Sequence, residues 1–258
     1  MSNEQPYGPQ GIWILLIILA AIAFGATPVF VRHLTEAGTP PEMIAFYRYA
    51  LTALVLLPFM SLRLDRLGAT VLGLLAGAAI GLGWIGYVLV LGKTKIAVAG
   101  IYYMTYPLFA MLFALALTGH RPGLRGSLAV VMILVAAWIA LTPGLLAAIT
   151  LDMILMGLAA PVAFGFAIAV ALGWLGILNP LQKIGSVALG ASLALAAMVL
   201  WQSPDPKIFI APGTDWANVL GLAALSALIP SLIYAIAAPR IGAIRTATAG
   251  ALELPAMA

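Results

Sequence analysis

Glu253 is the one carboxylate that falls deep inside an apolar run of this 258-residue chain, about ten residues from where the run begins, or roughly 15 Å along a helix. A charge at the centre of a bilayer costs about 2.5–3.5 kcal/mol even on insertion scales. The side chain must therefore face the interior of a bundle. There it can carry a proton, balance an ammonium group, or act as a hydrogen-bonded packing carboxyl. Arg48 stands a third to half way into another apolar run. It can bind a carboxylate, pair with Glu253, or snorkel towards an interface. A third run, Ala97 to Thr118, has no formal charge yet carries Tyr102, Tyr103 and Tyr106, followed by Pro107. Phenol hydroxyls need partners that hydrocarbon does not supply. Tyr102 and Tyr106, four apart, share a helix face, while Tyr103 is turned about 100° from Tyr102. Such rings suit a stacking wall for an aromatic or cationic solute, or act as glue between helices. Trp84 and Tyr87, i and i+3 in the preceding run, can extend that wall.

Other chemistry is poorly provided for. The two histidines, His33 and His120, lie in different loops and there is no cysteine, so no metal site, disulfide or thiolate nucleophile is expected. Neither paired carboxylates nor a nucleophile elbow nor a phosphate-cradling loop occurs, so neither enzyme chemistry nor a cofactor is expected. Asp152 and Asp215, near the starts of runs, read as helix caps at an interface. Trp13, Trp201 and Trp216 sit at run ends and read as interface anchors.

The elements that must position these groups follow from composition. The chain is 64% hydrophobic and 8% charged, with a mean hydropathy of +1.14. Soluble domains carry about 25% charged residues, so this is an integral membrane protein. Apolar runs of membrane length without strand alternation mean helices rather than a barrel. Nine runs are read: Gly11 to Val31, Pro41 to Met60, Leu67 to Leu91, Ala97 to Thr118, Gly126 to Leu141, Leu151 to Leu172, Ile184 to Trp201, Trp216 to Ala238, and one starting near Ile241. The first lacks a basic leader and a cleavage site, so it is read as retained. The net charge of +4 is scattered between runs and speaks to topology, with the bilayer and not nucleic acid as partner. With a cytoplasmic N-terminus, Arg63, Arg66, Arg121, Arg125, Lys183, Arg240 and Arg245 fall inside, against Arg32, Lys93, Lys95 and Lys207 outside. That balance favours the N-in orientation.

An internal repeat organises the runs. AAIAFG (Ala20 to Gly25) matches APVAFG (Ala160 to Gly165) at an offset of 140, and Pro40 and Ile44 meet Pro180 and Ile184 at the same offset. VLGLLAGAA (Val71 to Ala79) matches VLGLAALSA (Val219 to Ala227) at 148, as Pro107 matches Pro255. A longer loop after the seventh run accounts for the change. Two copies of five spans must run in opposite senses, an inverted repeat of the kind found in secondary transporters. The expected division is a tail over 1–10, a first repeat over 11–144 and a second over 145–258, whose tenth helix is missing from this chain. Gly25, Pro28, Pro107, Gly165 and Pro255 are read as hinges or close-packing points within it.

Together with Tyr106-Pro107-Leu108 in the fourth run and Leu252-Glu253-Leu254-Pro255 in the ninth, this pattern resembles the drug/metabolite transporter superfamily, EamA type. Gly119-His120 departs from that family, which often places a glutamate there. The resemblance implies ten helices around a central cavity lined by the first, third, fourth, sixth, eighth and ninth. It implies a carrier of the cytoplasmic (inner) membrane that works by alternating access on a small-molecule solute. The expected cargo is an amino acid, aromatic amino acids being one branch, or a related amine. A proton-coupled drug-cation exporter and a non-transporting scaffold are the alternatives. The expected binding set is Tyr102, Tyr103, Tyr106, Trp84, Tyr87, Arg48 and Glu253. Nothing in the sequence sets an oligomeric state.

Overall fold

The computed structural model describes residues 10–60, 63–94, 96–119, 150–202 and 213–241, with isolated positions between 123 and 135 and between 246 and 253. Among them every element is helical. Seven spans are long and apolar enough to cross a membrane: Gly11–Glu36, Pro41–Phe59, Leu64–Lys93, Val98–Thr118, Leu151–Gly173, Pro180–Gln202 and Trp216–Ala238. The protein is an all-α integral membrane protein. Most of the fifth run and of the ninth, with Pro255 and His120, lie outside the described residues.

Two spans are interrupted by proline. The first divides into α1 (Gln10–Gly25) and α2 (Thr27–Glu36), with Pro28 in the first turn of α2. A proline cannot donate to the carbonyl one turn back, and the chain instead closes a tight turn from Val29 N to Ala26 O at 3.1 Å. The fourth span divides into α5 (Ile96–Tyr103) and α6 (Tyr106–Thr118), with Pro107 in the corresponding place. Here Thr105 Oγ1 donates to the Tyr102 carbonyl at 2.7 Å. The second and third spans contain α3 (Pro41–Leu56) and α4 (Leu64–Lys93). The sixth and seventh are α7 (Leu151–Gly173) and α8 (Pro180–Gln202). The eighth is α9 (Trp216–Ala223), a π-helical turn at Ala224–Leu228, and α10 (Ile229–Ile241). Of the two aspartates read as caps, Asp215 accepts from Asn218 N at 3.1 Å. Asp152 does not cap; Thr150 occupies that position and accepts from Met153 N.

The long helix α4 holds the bundle together because its glycines let two backbones in. Gly83 lies where an added Cβ would come within 2.7 Å of both the Ala159 carbonyl and the Ala163 side chain on α7; Gly86 faces Met156. On another face Gly73, Gly77 and Gly81 meet Ser186, Val187 and Ala191 of α8. In lipid, where the hydrophobic effect does not pull helices together, such close approach supplies the attraction. These contacts also give the helix directions. The pairs Gly83–Ala159 and Gly86–Met156 make α7 antiparallel to α4, whereas Gly73–Ser186 and Gly81–Ala191 make α8 parallel to it. On the other side, Phe30 meets Gly221 and Phe24 meets Tyr234, so the eighth span runs antiparallel to the first. Gly165, in the middle of an unbroken α7, packs against Phe109 and Ala110 of α6.

Candidate functional site

A cavity of about 410 Å³ opens among these helices. Its wall is aromatic. Tyr103 and Tyr106 each stack against Phe164, with ring centroids 5.7 and 5.0 Å apart, and against one another at 5.7 Å. Phe24 and Tyr234, 5.9 Å apart, face the same space from α1 and α10. Tyr87 continues the cluster towards α4, 5.7 Å from Tyr103 and 5.1 Å from Trp84. Pairs of this geometry hold each other rigid and present polarised ring edges and faces.

Three charged side chains reach this lining: Arg48, Lys183 and Glu253. Arg48 projects from the middle of α3 and is only 6% exposed. Its guanidinium carbon lies 3.7 Å from the Trp84 ring centroid and 5.3 Å from that of Tyr49. Its Nη2 donates across the bundle to the carbonyl of Ser226, in the π turn, at 2.5 Å. Nε and Nη1 are buried without a hydrogen-bond partner among the described residues. Arg48 and Glu253 also share a small recess with Thr27, Trp84, Tyr87 and Tyr103, beside the main cavity.

The residues singled out from sequence fall into three groups. Arg48, Trp84, Tyr103, Tyr106 and Glu253 converge on the main cavity, and Tyr87 on the recess. Tyr102 does not. Its ring packs on Gly157 of α7, because the break at Met104 and Thr105 cancels the helical register that would place it with Tyr106. Gly25, Pro28 and Pro107 sit at the two helix breaks.

Several lining residues carried no warning in the sequence. Phe24, Tyr49, Phe164 and Tyr234 are aromatic residues in apolar runs, and Thr52 and Ser231 are small hydroxyls. Lys183 is read from the sequence as a loop residue of the inner face, yet it lies in the first turn of α8 and lines the cavity. The available signal is Asn179-Pro180, a cap followed by an N1 proline; Asn179 Oδ1 accepts from Gln182 N at 2.9 Å. The lining also includes residues of the second and seventh spans, beyond the set the family resemblance implies.

The family model of the EamA-like transporter family matches residues 11–142, slightly more than half of the chain. The chain belongs to the EamA-like transporter family. It is therefore a multi-pass membrane transporter of the drug/metabolite superfamily, and its implied partners are a small-molecule solute and the lipid bilayer. No curated protein matches the chain. In a transporter, a chamber walled by aromatic rings and holding both signs of charge is where a solute would be bound.

Proposed function

We propose that this transporter exports a small amphipathic metabolite, an amino acid or a related amine, across the cytoplasmic membrane by alternating access. The observation that carries the reading is the cavity itself. It combines an apolar aromatic wall with a guanidinium and a carboxylate that share one recess. An aromatic or long aliphatic side chain would lie against Tyr103, Tyr106, Phe164 and Tyr234, while Arg48 and Glu253 face the polar end. Tyr87 completes the polar end, and Tyr102 stays a packing residue. Movement at the breaks containing Gly25, Pro28 and Pro107 would let the two halves rock about the bound solute, with Gly165 as a close-packed contact in that motion.

The helix directions support an inverted repeat divided near residue 144. The sixth, seventh and eighth spans each run opposite to the first, second and third. The contact between the first and eighth spans has its mirror in the contact between the third and sixth. The extent of the family match supports the same boundary. The excess of Arg and Lys on one side supports a cytoplasmic N-terminus.

A drug-cation exporter is the second reading, favoured by Glu253 standing among aromatic rings, a setting that also binds organic cations. Proteoliposomes loaded with labelled aromatic and aliphatic amino acids, with and without a pH gradient, decide between them. Efflux of amino acids is expected. Flux of hydrophobic cations alone would move the assignment to the second reading, and loss of gradient-driven flux in Glu253→Gln would identify Glu253 as the coupling group.

A further inference from the structure

Arg48 is built into the cavity with part of its bonding capacity unused. A guanidinium offers five N–H donors in a fixed plane and cannot lose its charge. Trp84 lies under the group at 3.7 Å and the Ser226 carbonyl takes Nη2, so its orientation is set before any solute arrives. Nε and Nη1 nevertheless find no partner among the described residues, although the side chain is 6% exposed. Buried charged donors without partners are unfavourable. No ion pair joins Arg48 to Glu253 among the described residues, although the two share a recess.

The charge balance points the same way. Two cations, Arg48 and Lys183, share the described lining with one carboxylate, Glu253. Gly185 of α8 faces Leu56 and Met60 at the far end of α3, which puts Lys183 on that side. Eight residues along α3 separate Leu56 from Arg48, or roughly 12 Å. One cation thus stands towards the end of the bundle where α3 finishes and the other deep inside, an arrangement that draws an anionic group inward.

We propose that the cavity selects solutes that carry a carboxylate, with Arg48 as the docking residue, and discriminates against amines that lack one. This rests on the transport reading above and narrows it. The unused donors accept a carboxylate oxygen, the ring wall takes the apolar body, and Glu253 in the same recess is left for an ammonium group when the solute has one. An amine without a carboxylate leaves the Arg48 donors unpaired and gains only Glu253.

Three probes with the same phenylethyl body separate these contributions: phenylalanine, 3-phenylpropanoate and phenethylamine. Thermal unfolding of the purified full-length protein in detergent reads binding, because a ligand that binds only the folded state raises the midpoint. Phenylalanine and 3-phenylpropanoate should raise it and phenethylamine at equal concentration should not. Arg48→Lys, which keeps the charge but not the planar donor set, should weaken both carboxylates by roughly tenfold, the loss expected for one charge-assisted hydrogen bond. The comparison among probes uses the unaltered protein, so it stands even if the variant misfolds. Phenethylamine raising the midpoint as much as 3-phenylpropanoate would overturn the proposal and leave a cation transporter in place. Failure of all three, together with no amino acid flux in liposomes, would overturn the metabolite reading as well.

Discussion

The guanidinium carbon of Arg48 lies 3.7 Å from the centroid of the Trp84 ring. This contact joins the middle of the second span to the middle of the third, and both residues are buried. A cation held over an indole and shielded from water gains about 2 kcal/mol or more. Trp84 is itself wedged between Tyr49 and Tyr87, at centroid distances of 6.4 and 5.1 Å. The charge of Arg48 is therefore tolerated in the bundle by a π face and one carbonyl rather than by an anion.

Replacing Trp84 should accordingly affect both stability and binding. Trp84→Leu should lower stability by about 2–4 kcal/mol, from lost packing and lost cation–π attraction. Trp84→Phe should lie between the two. Thermal unfolding measures the first effect. If Trp84 also aims Arg48, 3-phenylpropanoate should bind the Phe variant more weakly than the unaltered protein even at a temperature where both are folded.

The glycines of α4 give a paired test. An alanine at Gly83 would press on the Ala159 carbonyl and the Ala163 side chain, both 2.7 Å away, whereas nothing lies within 4 Å at Gly68. Gly83→Ala should cost about 1–3 kcal/mol, since a backbone carbonyl on a packed helix cannot move aside cheaply. Gly68→Ala, at an exposed helical position, should be neutral or stabilise by up to about 1 kcal/mol. Equal melting temperatures for the two variants would mean that the α4–α7 contact is looser than described.

Glu253→Gln removes the one carboxylate of the described lining while keeping its shape. Binding of 3-phenylpropanoate should strengthen several-fold, because a like charge is gone from the recess it shares with Arg48. Binding of phenylalanine should change less, because its amine loses a counter-ion as its carboxylate loses a repulsion. Competition titrations with the two probes check both signs.

Asp215 predicts an acid dependence at the start of α9. Hydrogen bonds from the Asn218 side chain at 2.7 Å and its backbone N–H at 3.1 Å hold this carboxyl below the usual carboxylate range. A group whose folded-state value is depressed stabilises the fold above its unfolded value, near pH 4, and loses that contribution as pH falls through the folded one. Asp215→Asn, which still caps, should flatten the melting-temperature profile below about pH 4 without lowering its neutral plateau. Asp215→Ala should lower the plateau too.

What could be read beforehand was what looked out of place. Arg48 and Glu253 are charges in apolar runs, and Trp84, Tyr103 and Tyr106 are polar-tipped rings at mid-depth; all reach the main cavity. Phe164 and Tyr49 make as much of the wall, but an aromatic residue in a hydrophobic helix looks like any core residue. Tyr102 shows the limit of periodicity: one proline shifted the register, and its ring turned to Gly157. Lys183 was hidden for a different reason. Its surroundings, Asn179-Pro180-Leu181-Gln182, have a loop's composition, and only the capping geometry places them within a helix. The membrane spans were the easiest part, because apolar runs of about 20 residues have few other uses.

The π turn at Ala224–Leu228 supplies both the carbonyl that accepts from Arg48 and the approach to α10. Such a turn amounts to one surplus residue in an otherwise regular helix. Removing any one residue there would restore ordinary winding but rotate everything after it by about 100°. Ser231 and Tyr234 would then swing from the chamber wall towards neighbouring helices or lipid. The shape of the chamber thus depends on chain length at that turn as well as on which side chains line it. A deletion of a single alanine, conservative by composition, should be as damaging as the loss of a wall residue.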